Sequence, residues 1–577
     1  MNRKGWFAVG MLAAVSLMLA AANGFAAGAQ DGAKPAAGAA AYKMVDGYPK
    51  YDPPITLTRN MQIAIGGETT FYKNNTVEDN SYTRWFKEKM GIQWVPKWVA
   101  PDAETDRQKL SLAMASGDLP DLIKVSGKSF LDLASGGALI EAKPMFDKYA
   151  SPLIKAVFEE VKTVTGLDPF IQQTVNGKIY GVPMVMDVWA GSDNCTWVRK
   201  DILDQLGLPM PKSLQDMEKI FAAYLAKYPG NAPFYMENDW GIPYKWFDTI
   251  TYNMGAGSSG SGAWISVGGK LEYTGIQKEM RDSLEIAAQW YKKGYINKEF
   301  LTAKGNKDLI AGKAMFVFGP WWYIHNVFTD VVKNNPGAEF LPVPLFTEAN
   351  PKAAYLDGAR VLGDGYGISV KAKNPEAIIL AYNENVESKL RDQPDLRAKF
   401  PFKYDQDTYG KIKGYRVEGP VFFNFPEAKE LKEIDTVYLN PSMGINQRIA
   451  DLYNTYSRIV ANLDAKKPDS ALSEGDLAMK KQVDERLNAN ALWENIRMYN
   501  REFAAGLHKT NQFFGSPTPT QVSGGGELKK IEQETYTKII LGQVPISAFD
   551  EFAAKWKSQG GDAITKEVND WYKGLKK

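Results

Sequence analysis

The stretch Lys178–Phe221 reads KIYGVPMVMDVWAGSDNCTWVRKDILDQLGLPMPKSLQDMEKIF. A short apolar run, Ile179–Val185, gives way to a polar break at Asp187–Asn194. A second apolar run, Cys195–Val198, leads into a charged helix start at Arg199-Lys200-Asp201, then a Gly-Pro stop and a further capped helix. This order is expected of a chain that leaves one α/β lobe, crosses a narrow waist and begins another. The spacing places the second lobe's first strand near Cys195.

Working outward, 577 residues exceed one ordinary core, since domains run to roughly 250 residues. Hydrophobic residues make up 44% and charged residues 24%, as in globular proteins. With Arg3 and Lys4 set aside, basic and acidic side chains balance at 67 each. That balance argues against nucleic acid or an anionic membrane surface as partner.

Residues 1–29 read as an export signal. Arg3 and Lys4 precede the uncharged run Trp6–Ala22, and small residues crowd the candidate cleavage points at Gly24–Ala29. The alternative is an uncleaved anchor. No cysteine follows the segment, so a lipoprotein start is not expected. The location expected is periplasmic, and residues 30–54 are expected to form a tether. Cys195 is the one cysteine, so no intramolecular disulfide forms. With two histidines, no HExxH and no CxxC, no metal centre is indicated and no cofactor is called for.

Alternating strand and helix patterns follow: a strand at Met61–Ile65, a helix at Asp79–Met90, a strand at Ile92–Val99, a helix at Ala103–Ala115 and a strand ending at Val125. The alternation predicts a mainly parallel sheet. The second lobe carries expected helices at Ser213–Lys227, near Trp240–Asn253 and at Ile276–Lys293, a hairpin over Trp264–Tyr273 and a buried strand Ala314–Phe318. The Gly-rich run Gly363–Gly367 reads as the return crossing. Pro375–Leu390 is an expected helix, Arg391–Asn440 is irregular, and from Pro441 the pattern is mostly helical, with loops at Asp464–Glu474 and Phe514–Gly525.

At these residues the chain resembles a family. Asn176–Pro183, Trp197–Pro209 and Pro211–Ile220 are similar to the extracellular solute-binding proteins of ABC sugar importers, and Asp118–Asp121, Gly319–Trp322 and Asn374–Ala377 sit in that family's order. Gly515–Thr520, Lys538–Gly542, Phe549–Gly561 and Glu567–Tyr572 resemble its large oligosaccharide-binding, alginate-type branch. The resemblance implies an α/β, two-lobed periplasmic-binding-protein fold with discontinuous lobes joined by hinge segments and a helical C-terminal region. Lobe 1 would take residues 55–186 plus about 366–435, and lobe 2 residues 188–362 plus about 440–577. It implies a monomeric receptor, not an enzyme, that closes on a carbohydrate and delivers it to ABC permease subunits. Several members carry a calcium loop where this chain reads Ala226–Pro233; the run lacks the hard oxygen ligands calcium needs.

Sugars present apolar C–H faces and rings of hydroxyls, which aromatic planes and polar side chains meet. Open α/β sheets bind ligands at strand carboxyl ends. Trp321 and Trp322 follow a strand directly, and the resemblance implies an aromatic stacking on sugar there. Asp187 and Trp189 lie in the first crossing and Tyr366 at the return; each is either a ligand contact or hinge packing. Glu68, Phe71, Ser126 and Lys128 follow strands of the first lobe. Trp240 and Trp246 are expected at a helix start, as platform or core. Arg360 is a fork for hydroxyls or a uronate, or a surface ion pair. The competing readings are a secreted glycoside hydrolase with an unlocalised carboxylate pair, a binder of a peptide or other polar metabolite, and a sensory subunit.

Overall fold

The computed structural model describes residues 40–62, 76–79, 81–165, 168–185, 194–239, 242–245, 247–258, 262–325, 327–355, 362–390, 449–509 and 511–575. Its two main sheets use β1 (Ile55–Gln62), β2 (Ile92–Ala100), β3 (Leu122–Val125), β4 (Gly181–Val185), β5 (Asn194–Arg199), β6 (Phe234–Tyr235), β7 (Phe316–Pro320), β8 (Phe340–Val343) and β9 (Leu362–Ile368). The chain divides into two compact units: Met1–Met186 with Leu362–Arg448, and Asp187–Val361 with Ile449–Lys577.

The first unit holds a five-stranded sheet in the order β2-β1-β3-β9-β4. β1 runs parallel to β2 and β3, and β9 is antiparallel to both β3 and β4. β1 begins well before Met61, because Ile55 and Leu57 already pair with Ile92 and Trp94. Main-chain pairing of β1 with β3 is confined to Arg59 opposite Leu122, and side chains extend it. Asn60 accepts from the Lys124 amide at 2.8 Å and donates to its carbonyl at 3.2 Å. The Asp121 carboxylate accepts from the Thr58 amide at 2.8 Å and from its hydroxyl at 2.7 Å. Asp102 caps the helix Ala103–Ser116 by accepting from the Thr105 amide, and Gly117 ends it with φ 66°.

The run Gly365-Tyr366-Gly367 is explained by strand alternation. A Cβ at Gly365 would stand 2.6 Å from Gln173 Nε2, and one at Gly367 2.8 Å from Leu139 Cδ2. Tyr366 and Ile368 belong to the unit's apolar core, with Leu122, Val182 and Tyr382. The tether expected over residues 30–54 is corrected in its last part. Tyr42–Val45 and Tyr48–Tyr51 form a hairpin, and Tyr48 and Tyr51 are buried in the first core, because two tyrosines bury too much apolar area to remain in water.

The second unit is built on the sheet β6-β7-β5-β8, in which β5 is antiparallel to β7 and β8, and β6 is parallel to β7. Both faces are buried. Phe234, Val198 and Phe316 face a core shared with Met280, Leu284, Trp290, Leu528, Tyr536, Phe549 and Phe552. Their neighbours Tyr235, Trp197 and Val317 face another core, with Tyr456, Ile459, Leu492 and Ile496. The C-terminal helices Ile449–Asp464 and Ala489–Ala504 thus cover one face, and Pro519–Ile540 and Ala548–Trp556 the other. Ser213 caps the helix Leu214–Lys227, and Gly207 with φ 65° stops Lys200–Leu206, the punctuation read in the opening stretch.

Two expected elements differ. In place of a helix starting near Trp240, the strands Glu237–Asp239 and Ile242–Lys245 pair as a hairpin, and the helix is Asp248–Met254. The loop expected at Phe514–Gly525 stops early. Thr518 and Gln521 form a capping box with Pro519 in the first turn, so the helix begins before Gly524-Gly525-Gly526 and carries them inside it. Each such glycine costs about 1 kcal/mol relative to alanine; the capping box and the buried far end, Tyr536–Ile540, offset that cost. The region Arg391–Asn440 and the export segment lie outside the described residues.

Among the buried titratable groups, burial pushes the Glu502 and Glu532 carboxyls up to about 7 and the His508 imidazole down to about 4. Between their ordinary value and about 7, the folded glutamates keep protons that the unfolded chain releases. Their contribution is therefore full at acid pH and lost as pH rises through about 7; His508 acts oppositely between about 4 and 6.5. Urea unfolding of Glu502→Gln is expected to show the variant gaining on the wild type from pH 5 to pH 8; a constant difference would contradict the assignment. Gly319→Ala would place a Cβ 2.5 Å from the Tyr323 ring, and a loss of about 1–3 kcal/mol in the same assay is expected from overpacking.

Candidate functional site

Strand direction gathers the candidate segments. In the first unit the carboxyl ends of β1 and β3 share one edge of the sheet with the amino end of β9, since Gly365 lies opposite Val125. Leu362 opposite Val185 puts the carboxyl end of β4 there too. Glu68 and Phe71 follow β1, Ser126 and Lys128 follow β3, Asp187 and Trp189 follow β4, and Arg360 precedes β9. The edge from which the chain leaves the unit and to which it returns is therefore the edge whose connections carry those candidates.

Ser126 and Lys128 are exposed. Ser126 stands at the N-cap of the helix Gly127–Ser135 with extended backbone and makes no side-chain cap bond, so its hydroxyl is not committed to the helix. Lys128 Nζ pairs with Asp132 at 2.6 Å, with both side chains about half exposed; such a pair costs little to break. Tyr366 is placed differently. Its ring is 3% exposed within the first core, so packing, not ligand contact, accounts for it. Glu68, Phe71, Asp187, Trp189, Trp240, Trp246 and Arg360 lie outside the described residues.

In the second unit Pro320, the last residue of β7, lies opposite Asn194, the first of β5. The edge at which the chain enters this unit is thus the edge from which Trp321 and Trp322 issue. The two open a short 3-10 turn, Trp321–His325. Trp321 is half-buried and meets Tyr456 edge-on at 6.4 Å. Trp322 is 38% exposed and rests edge-on against Tyr323 at 5.2 Å. Tyr323 is buried beside Gly319, whose carbonyl accepts from the Trp197 indole at 3.0 Å. A buried indole, a glycine without room for a Cβ and a buried tyrosine thus hold one outward-facing tryptophan at a strand's carboxyl end.

Glu237 also follows a strand of this edge and is 2% exposed. It accepts from Tyr235 Oη at 2.9 Å and from the Asn306 amide at 3.1 Å. Its signal in the sequence is an acid immediately after the apolar run Phe234–Met236. At Ala226–Pro233, Asn231 donates to Tyr224 Oη at 3.3 Å and the Ala232 amide to the Lys313 carbonyl. Among the described residues no three His, Cys, Asp or Glu side chains are grouped to hold a metal ion.

The model of the bacterial extracellular solute-binding proteins matches residues 65–383, more than half of the chain. The chain belongs to that family. It is 27% identical over 289 residues to the fructooligosaccharide ABC transporter substrate-binding protein FusA of Streptococcus pneumoniae, covering 47% of this chain and about half, 51%, of FusA. It is 22% identical over 501 residues to the polygalacturonan/rhamnogalacturonan-binding protein YtcQ of Bacillus subtilis, covering 85% of this chain and 86% of YtcQ. Among solved structures, the alginate-binding protein AlgQ2 without calcium ion superposes with a TM-score of 0.63 at 17% identity, covering 90% of this chain and 98% of AlgQ2. The fold is that of the two-lobed binding proteins. The family is one of extracellular solute-binding proteins, and FusA, YtcQ and AlgQ2 are each described as binding proteins.

The geometry separates the two tryptophans. Trp322→Ala is expected to change stability by no more than about 0.5 kcal/mol, as at exposed sites. Trp321→Ala removes packing on Tyr456 and is expected to cost about 1 kcal/mol or more. Thermal melts of the two variants check this; equal losses would contradict it.

Proposed function

We propose that this protein is a periplasmic receptor, exported by residues 1–29 and free of a lipid anchor, that captures an oligosaccharide and delivers it to an ABC permease. The observation that carries the reading is the coincidence in each unit of the chain-crossing edge with the candidate contacts, above all Trp322, exposed and held by Tyr323 and Gly319. An aromatic face suits the C–H face of a pyranose, and the uncommitted Ser126 hydroxyl and the weakly paired Lys128 suit its hydroxyls. Asp187, Trp189, Glu68, Phe71, Arg360, Trp240 and Trp246 stay proposed contacts on their places in the sequence alone.

The oligosaccharide assignment is supported by what FusA and YtcQ bind and by the composition of the edge. Binding that favours one arrangement of the units shifts the population toward it, and the difference in affinity supplies the work. The receptor acts without catalysis and as a monomer.

A panel of fructo-, galacturono-, manno- and gluco-oligosaccharides tests the reading. A ligand present at about 100 times its Kd stabilises by about 2.7 kcal/mol, so one class is expected to raise the melting temperature and shift tryptophan emission. Trp322→Ala is expected to weaken that ligand tenfold or more, about 1.4 kcal/mol. The sugar is expected to be recovered intact after overnight incubation. Unchanged melting and emission across the panel, or cleavage products, would overturn the reading.

A further inference from the structure

The C-terminal block that distinguishes this chain's branch frames a pocket of about 350 Å³ inside the second unit. It shares no lining residue with the strand-end edge. Its size falls within the range of about 300–1,000 Å³ of small-molecule sites.

The walls are aromatic. Trp264, from the hairpin strand Trp264–Val267, lies 6.4 Å from Phe513, and Trp556 stacks on Tyr273 at 4.9 Å. The polar lining is a small set with hydrogen-bonding capacity left over. Asn511 Oδ1 accepts from the amides of Trp264 and Phe513, which leaves its NH2 group to donate. Gln521 Oε1 accepts from the Thr518 amide at 2.8 Å, which likewise leaves an NH2 group. Lys529 is an exposed donor. Glu532, 3% exposed, accepts from Tyr273 Oη at 2.9 Å through Oε2, leaving Oε1 as an acceptor. Among the described residues it makes no ion pair.

The helix Pro519–Ile540 is bare where it passes the pocket. A Cβ at Gly524 or Gly526 would meet nothing within 4 Å, and one at Gly525 only Gln521 Cβ at 3.7 Å. Side chains would fit, and the helix would be stronger with them; at Gly525, which lines the pocket, one would take up its space.

We propose that this pocket is a second carbohydrate site, taking a single sugar ring. Aromatic walls meet C–H faces, two carboxamides and an ammonium donate to ring hydroxyls, and one carboxyl oxygen accepts from another. A cation alone would leave the three donors unused and face Lys529; an apolar ligand would strand all four groups without partners. The site stands independently of the receptor reading, because every group in it belongs to the second unit and to other elements of that unit.

Saturation-transfer NMR on the full chain with glucose, galactose, mannose, galacturonate and N-acetylglucosamine, one at a time, tests the proposal. Transfer is expected to at least one sugar, with a Kd on the order of millimolar. The signal should persist in Trp322→Ala, disappear in Gly525→Leu and weaken at least tenfold in Glu532→Gln. Gly525→Leu should melt no lower than the wild type and keep any oligosaccharide affinity, which separates loss of this site from loss of the receptor function. No transfer from any of the five sugars, transfer indifferent to both pocket variants, or transfer abolished by Trp322→Ala would overturn it.

Discussion

Burial of the second unit's sheet on both faces is the constraint on which the rest depends. The connections between the four strands cover each face in part: Phe221 meets Phe316 at 5.4 Å on one side and Phe328 meets Trp197 at 5.2 Å on the other. In β5, Trp197 and Val198 point to opposite sides, and in β7 Phe316 and Val317 do the same. After its excursion through the first unit the chain returns and adds a further set of helices to each face. The discontinuity of the fold completes this packing: residues 449–575 add Tyr456 and Leu492 on the Trp197 side and Leu528 and Tyr536 on the Phe316 side. Strands covered on both faces read as continuous apolar runs, and Phe316–Phe318 does.

The site inherits its position from the same sheets. Because β9 runs antiparallel to β3 and β4, the chain re-enters the first unit at the edge where it left. Because β5 runs antiparallel to β7, it enters the second unit at the edge that presents Trp321 and Trp322. The crossings and the candidate contacts thus share an edge by strand direction. Gly319 and Gly365 serve that arrangement by omission: at each, neighbouring side chains occupy the room a Cβ would take.

Legibility was uneven for physical reasons. Helices with strong local signals, such as Ala103–Ser116 and Leu214–Lys227, lie close to where their caps and glycine stop put them. The helix through Gly524-Gly525-Gly526 was hidden, because three glycines read as loop, whereas a capping box upstream and packing downstream decide the matter. The helix start placed at Trp240 failed because hairpin pairing of Glu237 with Lys245 overrode local pattern. At the candidate site, aromatic pairs after a strand were legible as Trp321 and Trp322, but which indole faces outward was not, since that depends on Tyr456 and Tyr323. Tyr366 shows the reverse: its place at the return crossing left ligand contact and packing both open, and strand alternation turned the ring into the core.

By itself the sequence determined the α/β class, the crossing near residue 187, the absence of a disulfide and the family to which the chain belongs, because these rest on local periodicity, punctuation and residue counts. Tertiary structure decided which unit the C-terminal helices complete, which tryptophan is presented, and that Trp264, Asn511, Gln521, Lys529, Glu532 and Trp556 line one pocket. Those outcomes depend on contacts between segments hundreds of residues apart, and no local pattern encodes which distant surface a side chain will meet.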